Sequence, residues 1–364
     1  MHRLSIRAAL LAALIVAGLA AAVPTQAGPP GNHYLVTPLV SNNPDLAPTV
    51  DQNVQNAWGL ARSAGSPWWI SDNGTDKTSI YTGAGVAFPI AGQASKDVPG
   101  APTGAVASGI ANQFQVDTTA TPGVLGPSNF IFAAEDGTIS AWRGGSTAAR
   151  VKIDKSSDHW AFKGLAISNG APGPRLYAAN FGNDPGVKVY DGGWNPVNTP
   201  GAFVDPKLPK DFAPFGIQTI GDRVFVTYAK QSNEGIDEVD KQGLGIVDAY
   251  DLNGLSLTRV AQHGQLDAPW GLAQAPAGFG RFGGDLLVGN FGDGQINAYE
   301  ETSPGQFEHR GTLHAADGGK LKIDGLWALE FGNTGNNGDP QTLFFTAGPN
   351  DEQDGLFGTI KATS

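Results

Sequence analysis

Hydrophobic and polar positions along the chain fall into short runs separated by glycine-rich and proline-rich turns. One class of run is apolar for four to six residues and stops at a polar turn. Its copies begin at Trp68-Trp69-Ile70, Phe130-Ile131-Phe132, Leu176-Tyr177-Ala178, Val224-Phe225-Val226, Leu286-Leu287-Val288 and Leu343-Phe344-Phe345. The run that follows usually alternates apolar with polar residues and ends in an aromatic, as in Ser79-Ile80-Tyr81, Thr138 to Trp142, Val187 to Tyr190, Ile246 to Tyr250 and Gln295 to Tyr299. Alternation with a period of two marks a half-buried strand, and β-branched and aromatic residues suit it.

A third phrase precedes each pair of runs, with a glycine at its centre. It reads Ala57-Trp58-Gly59-Leu60, Pro102-Thr103-Gly104-Ala105, Phe162-Lys163-Gly164-Leu165, Pro214-Phe215-Gly216-Ile217, Pro269-Trp270-Gly271-Leu272 and Ile323-Asp324-Gly325-Leu326. The glycines lie 45, 60, 52, 55 and 54 residues apart. That period fits a four-stranded blade with generous loops, so the repeat predicts an all-β chain folded as a six-bladed β-propeller. The last copy runs out after Leu356 to Ile360, and a strand-like segment, His33 to Thr37, precedes the first copy. The N-terminal segment is therefore expected to supply the outer strand of the last blade and tie the ring shut. Nothing resembling a linker interrupts the repeat, so residues 28–364 are read as one domain rather than two separate β domains.

The first 27 residues read differently. His2, Arg3 and Arg7 form a basic head, Ala8 to Val23 is apolar, and Pro24-Thr25-Gln26-Ala27 offers a small-residue cleavage site. This order predicts a signal peptide over residues 1–27 and export to the periplasm or medium, with a membrane anchor as the alternative.

Composition narrows the chemistry. The formal net charge of −11 argues against nucleic acid and against anionic membrane surfaces as partners. The absence of cysteine removes disulfides, thiolate metal sites and a cysteine nucleophile.

The Pro-x-Gly-Leu starts and the Leu176-Tyr177-Ala178-Ala179-Asn180-Phe181-Gly182 turn resemble NHL-repeat and gluconolactonase-like propellers. Further segments are Asn56 to Leu60, Thr227 to Gln231, Ala268 to Leu272, Val288 to Gly294, Ile323 to Trp327 and Phe345 to Asn350. Together these resemble an uncharacterised family of secreted bacterial propeller proteins. The resemblance covers almost the whole chain after residue 27. It implies the fold and export, and no activity.

Ligands commonly bind at concave mouths, and the repeat offers two rings of positions near the mouth of the channel. The first is the residue before each repeat glycine: Trp58, Thr103, Lys163, Phe215, Trp270 and Asp324. Trp58 is expected to lie across the ring from Phe215, and Lys163 across from Asp324. Trp58, Phe215 and Trp270 either stack on a ligand flanked by the charges of Lys163 and Asp324 or pack between blades. The second ring is the residue ending each apolar run: Asp72, Glu135, Asn180, Tyr228, Asn290 and Ala347. Asp72, Glu135, Asn180 and Asn290 are of the type that ligates Ca2+, and also of the type that favours tight turns. In gluconolactonase-like propellers such groups hold a central divalent cation, so the resemblance implies a metal set here. A long insertion in the fourth repeat, Lys230 to Gly245, carries Glu234, Asp237, Glu238 and Asp240 and reads as a lid, a peripheral cation site or a solvated acidic loop. His159, just before the third glycine phrase, is a candidate general base. The chain has no Gly-x-Ser-x-Gly elbow and no phosphate-binding loop. Two functions follow: an exported propeller that binds a small molecule, glycan or protein segment at the channel mouth, or a metal-dependent hydrolase or lactonase.

Overall fold

The structure, a computed structural model, describes residues 31–363; the leader expected over residues 1–27 lies outside them. Within the described residues six sheets, antiparallel except for the short parallel strand Thr49–Val50 beside Tyr34–Ser41, are arranged as the blades of a propeller, and Gln115–Val116 with Gly126–Pro127 forms a separate two-stranded ribbon. Blade 1 runs outward from Ala57–Ala61 through Trp68–Asp72 and Lys77–Tyr81 to Ser95–Asp97. Blade 2 comprises Pro102–Ala107, Phe130–Ala134, Thr138–Trp142 and Arg150–Asp154. Blade 3 has three strands, Phe162–Ser168, Arg175–Asn180 and Gly186–Asp191. Blade 4 comprises Phe212–Ile220, Arg223–Lys230, Gly245–Asp251 and Thr258–Gln262, and blade 5 comprises Pro269–Gln274, Leu286–Asn290, Ile296–Ser303 and Gln306–Thr312.

Blade 6 starts with Leu326–Phe331, Leu343–Ala347 and Leu356–Ala362, and takes its outer strand, Tyr34–Ser41, from the N-terminal side of the chain. The pairing is antiparallel, with Tyr34 opposite Ala362 and Thr37 opposite Thr359. This is the expected closure, and it hides the edge of Leu356–Ala362. Tyr34 also packs against Phe279 and Phe282 of blade 5, so the closing strand is held from two sides. At the inner end, the Thr346 hydroxyl of blade 6 donates to the Trp58 carbonyl of blade 1.

Successive inner strands lie against one another, and the last lies against the first. The glycine phrase makes this approach possible. A Cβ on Gly59 would stand 2.2 Å from the Thr103 carbonyl oxygen, and one on Gly216 2.1 Å from that of Trp270. Apolar residues on the two faces of each blade then form the core in slabs between neighbouring blades. A further cluster joins the blade 6–blade 1 interface to the axis.

The sixth copy of the phrase is corrected by three residues. Leu326 pairs with Ala347 and Leu329 with Phe345, as Pro269 pairs with Asn290 and Leu272 with Val288 in blade 5. The member of the ring is therefore Leu326-Trp327-Ala328-Leu329, with Ala328 in place of the glycine and Trp327 in place of Asp324. Gly325 instead sits in a left-handed turn (φ +61°) against the Gly348 carbonyl, where only glycine fits without strain. The second ring shifts by one in blade 2: Ala134 pairs with Pro102, so Glu135 begins the turn beyond the strand.

Candidate functional site

Each inner strand carries a register irregularity at or beside its repeat glycine. A bulge re-aims side chains, and here it accompanies a turn of the residue before the glycine toward the axis. Four of those six residues are aromatic and meet there. Trp58 stacks on Trp327 with ring centroids 3.6 Å apart. Trp270 stands edge-on to both, at 6.3 and 5.8 Å. Phe215 lies 5.8 Å from Trp327, and Phe291 stacks on it at 4.0 Å. Trp327 is fully buried at the centre of this plug.

The plug leaves a cavity of about 430 Å³ at the end of the channel where the inner strands begin. Trp58 and Phe291 contribute aromatic surface to it. Loops between second and third strands deliver Glu135 from blade 2, Asp237, Glu238 and Asp240 from blade 4, and Asp351 and Glu352 from blade 6. Asp324 arrives on the loop entering blade 6. Lys163 is the one cationic residue in the lining, against these seven carboxylates.

Lys163 is only 2% exposed and already has partners. Its Nζ donates to Glu135 and lies 4.8 Å from the centre of the Trp58 ring. Burial alone would lower its pKa, but Glu135, Glu238 and Asp237 together hold it above the usual lysine value. Glu135 is half-buried, and against the desolvation that would raise it Lys163, helped by a hydrogen bond from Asn73 Nδ2 (2.9 Å), keeps its pKa below the usual glutamate value. Glu238, Asp240 and Glu352 behave differently. Burial, with Asp240 and Glu352 nearby and Lys163 opposing, pushes Glu238 up to about 7. Burial, with Asp267 and Glu352, pushes Asp240 up to about 6. Glu352 is also raised by burial, against a hydrogen bond from Asn56. The mouth is thus a pocket of carboxylates short of positive charge.

Of the residues expected at the mouth, Trp58, Lys163, Asp324 and Glu135 line it. Asp324 does so from a loop, its Oδ2 accepting the Asn350 N–H at 2.9 Å, and is not the inner-strand position opposite Lys163. Phe215 is inside the plug, and Trp270 lines a 40 Å³ space on its far side. Thr103 ties blades 2 and 3 by donating to the Phe162 carbonyl at 2.7 Å.

The other three suggested metal ligands are not brought together with Glu135. Asp72 is fully buried near Tyr81 and Asp51, where burial holds it well above the usual carboxylate range. Asn180 closes its own turn, accepting the Ala161 N–H and donating to the Asn183 and Asp184 carbonyls. Asn290 only donates, from Nδ2 to the Gln265 carbonyl at 2.8 Å and to Asp293 Oδ1 at 2.9 Å. Among the described residues no group of three or more His, Asp or Glu is placed to hold one ion. His159 is exposed in a left-handed turn (φ 54°) and does not line the mouth.

The residues that sequence reasoning missed are Trp327, Phe291, Asp351 and Glu352. The last two follow directly on the Phe345 to Asn350 segment, so an acidic pair just past the last apolar run was the available signal. At the far end of the channel, Arg62 pairs with Glu330 at 3.4 Å, and burial pushes Glu330 up to about 7 although Arg62 opposes the shift.

No family model matches the chain. An uncharacterised protein of Acanthamoeba polyphaga mimivirus is 29% identical over 332 residues, 88% of this chain and 78% of its own length. A second from the same virus is 28% identical over 340 residues, covering 90% of this chain and 85% of its own. These relatives are viral, whereas the sequence resemblance pointed to bacterial ones. Among solved structures, a virginiamycin B lyase from Staphylococcus aureus superposes with a TM-score of 0.49 at 13% identity, covering 91% of this chain and all of the other. A candidate gluconolactonase superposes with a TM-score of 0.41 at 18% identity, covering 73% of this chain and 93% of that one.

Proposed function

We propose that this chain is an exported binding propeller whose mouth takes a cationic organic group, presented by a small amine or by a basic segment of a protein. The observation that carries this reading is the charge imbalance of the mouth. Its only lysine is committed to Glu135 and Trp58, while Asp237, Glu238, Asp240, Asp324, Asp351 and Glu352 have no salt-bridge partner among the described residues. Carboxylates whose ionisation is opposed by burial and by each other gain most from an added positive charge. An ammonium or guanidinium group next to an aromatic face gains further, and the Lys163–Trp58 contact is an internal example of that geometry. A neutral glycan would leave the imbalance in place.

The cation-dependent hydrolase is the second reading. The crowding at Glu238 and Asp240 favours it, since Ca2+ would relieve that crowding as an amine would. Of the four ligands first considered for it, Glu135 alone lines the mouth.

A thermal-denaturation panel separates the two. A ligand of the folded state raises the melting temperature by a stabilisation that grows with the logarithm of its concentration over Kd, about 2.7 kcal/mol at a hundred times its Kd. The binding reading expects stabilisation by millimolar spermidine and none by succinate. Stabilisation by Ca2+ alone, reversed by a chelator, would favour the hydrolase, and no response to either would reject both.

A further inference from the structure

Blade 3 is incomplete. The other five blades each end in an outer strand, while blade 3 ends at its third, Gly186–Asp191. The chain beyond covers only the far end of that strand. The Asp191 N–H donates to the Asn195 carbonyl at 2.9 Å, and the Val197 N–H donates to the Val189 carbonyl at 2.8 Å. Pro196 and Pro200 have no N–H to offer, and after Val197 the chain leaves the edge. In an antiparallel strand alternate residues turn both backbone groups to the same side. The outward set is therefore 187, 189 and 191, and the Val187 N–H and carbonyl and the Val189 N–H have no backbone partner among the described residues.

A groove of about 680 Å³ lies along this edge, walled on the opposite side by the outer strand of blade 2. Trp160 and Phe203 line it, with Val187 and Val189 at its open edge. Lys152, Lys155 and Lys188 surround it, in a chain whose formal charge is −11. Lys155 and Lys188 approach the Trp160 ring at 5.1 and 4.4 Å. They also pair with Asp158 and Asp184, whereas Lys152 has no carboxylate partner among the described residues. Asp154 is the one carboxylate in the lining, and its Oδ1 is taken up by Ser156.

We infer that blade 3 accepts an extended acidic segment of a partner protein as its fourth strand, pairing with the backbone of Val187 and Val189 between the lysines of the groove. An open edge with pockets beside it is what strand addition requires, and the lysines set the sign of the partner's charge. The acidic mouth of the channel would repel the same segment, so the two surfaces select opposite chemistries.

The test titrates the full chain with a blocked heptapeptide of alternating Glu and Val, with its Lys-for-Glu counterpart, and with a version carrying a central proline. Binding of the acidic peptide, with slowed hydrogen exchange at Val187 and Val189, is expected. Charge reversal or the proline should weaken the protection of these two amides about tenfold or more, since a basic peptide held at the acidic mouth would leave them unprotected. The double variant Lys152→Glu, Lys188→Glu, with an unchanged melting temperature, should lose affinity by a similar factor of about ten. No binding at millimolar peptide, or equal binding of the proline version, would overturn the inference. So would a concentration-dependent dimer that protects the same two amides, because the edge would then belong to a second copy of this chain.

Discussion

Lys163 holds the interior of the mouth in its charge state. Truncating it to methionine would leave Glu135 half-buried without its cation. Losing one partner of a buried pair typically costs about 3–5 kcal/mol, and the partial exposure of Glu135 puts the expected loss near the lower end. Urea denaturation should show that loss for Lys163→Met, and the added change Glu135→Gln should restore much of it. The inner-strand glycines set a second residue-scale constraint. Gly216→Ala would drive a methyl group to 2.1 Å from the Trp270 carbonyl oxygen, whereas Ala328 already occupies the equivalent place in blade 6. Overpacking of this kind costs about 1–3 kcal/mol. Gly216→Ala should therefore lower the denaturation midpoint well beyond Ala328→Gly.

The same residues explain what the sequence could and could not convey. Trp58 and Lys163 were legible because the glycine phrase fixes which residue turns to the axis. Trp327 was not, because Ile323-Asp324-Gly325-Leu326 imitates the phrase three residues early. Only the pairing of Leu326 with Ala347 and Leu329 with Phe345 decides the register, and pairing is a long-range fact. Asp72, Asn180 and Asn290 misled for a related reason. They end strands whose alternation directs them into blade interfaces or their own turns, while the mouth is supplied by residues farther along the turns.

At the scale of elements, closure was readable because the last repeat was one strand short and an unused strand stood at the other end of the chain. Tyr34–Ser41 carries the consequence: it covers Leu356–Ala362 and reaches Phe279 and Phe282 of blade 5. Removing residues 31–41 exposes a hydrogen-bonding edge and the apolar slab between blades 5 and 6. The shortened chain should melt at a clearly lower temperature and self-associate in sedimentation. An unchanged melting point would refute the role given to this strand. The Lys230 to Gly245 insertion was legible as an acidic loop and, from its place in the repeat, as one projecting from the same face as the two rings. It reaches the mouth because it links the second and third strands of blade 4, and those links share one face of a propeller.

For the whole molecule, the six blades form a closed ring, and the aromatic plug leaves an acidic cup at one end of the channel. The overall charge of −11 adds a long-range pull on cations that salt would screen. The cup itself is tunable by pH. Glu238, at about 7, and Asp240, at about 6, are raised by burial, so both lose charge as pH falls from 8 to 5.5. A bound cation favours their ionised forms, and its affinity must fall over the same window. Calorimetric titration of spermidine at pH 8 and pH 5.5, on the wild type and on Glu238→Gln, tests the central claim most directly. We expect binding at pH 8 that weakens about tenfold or more at pH 5.5, with the variant weaker at pH 8 and less dependent on pH. Absence of binding at pH 8, or an affinity indifferent to both pH and the substitution, would contradict the account.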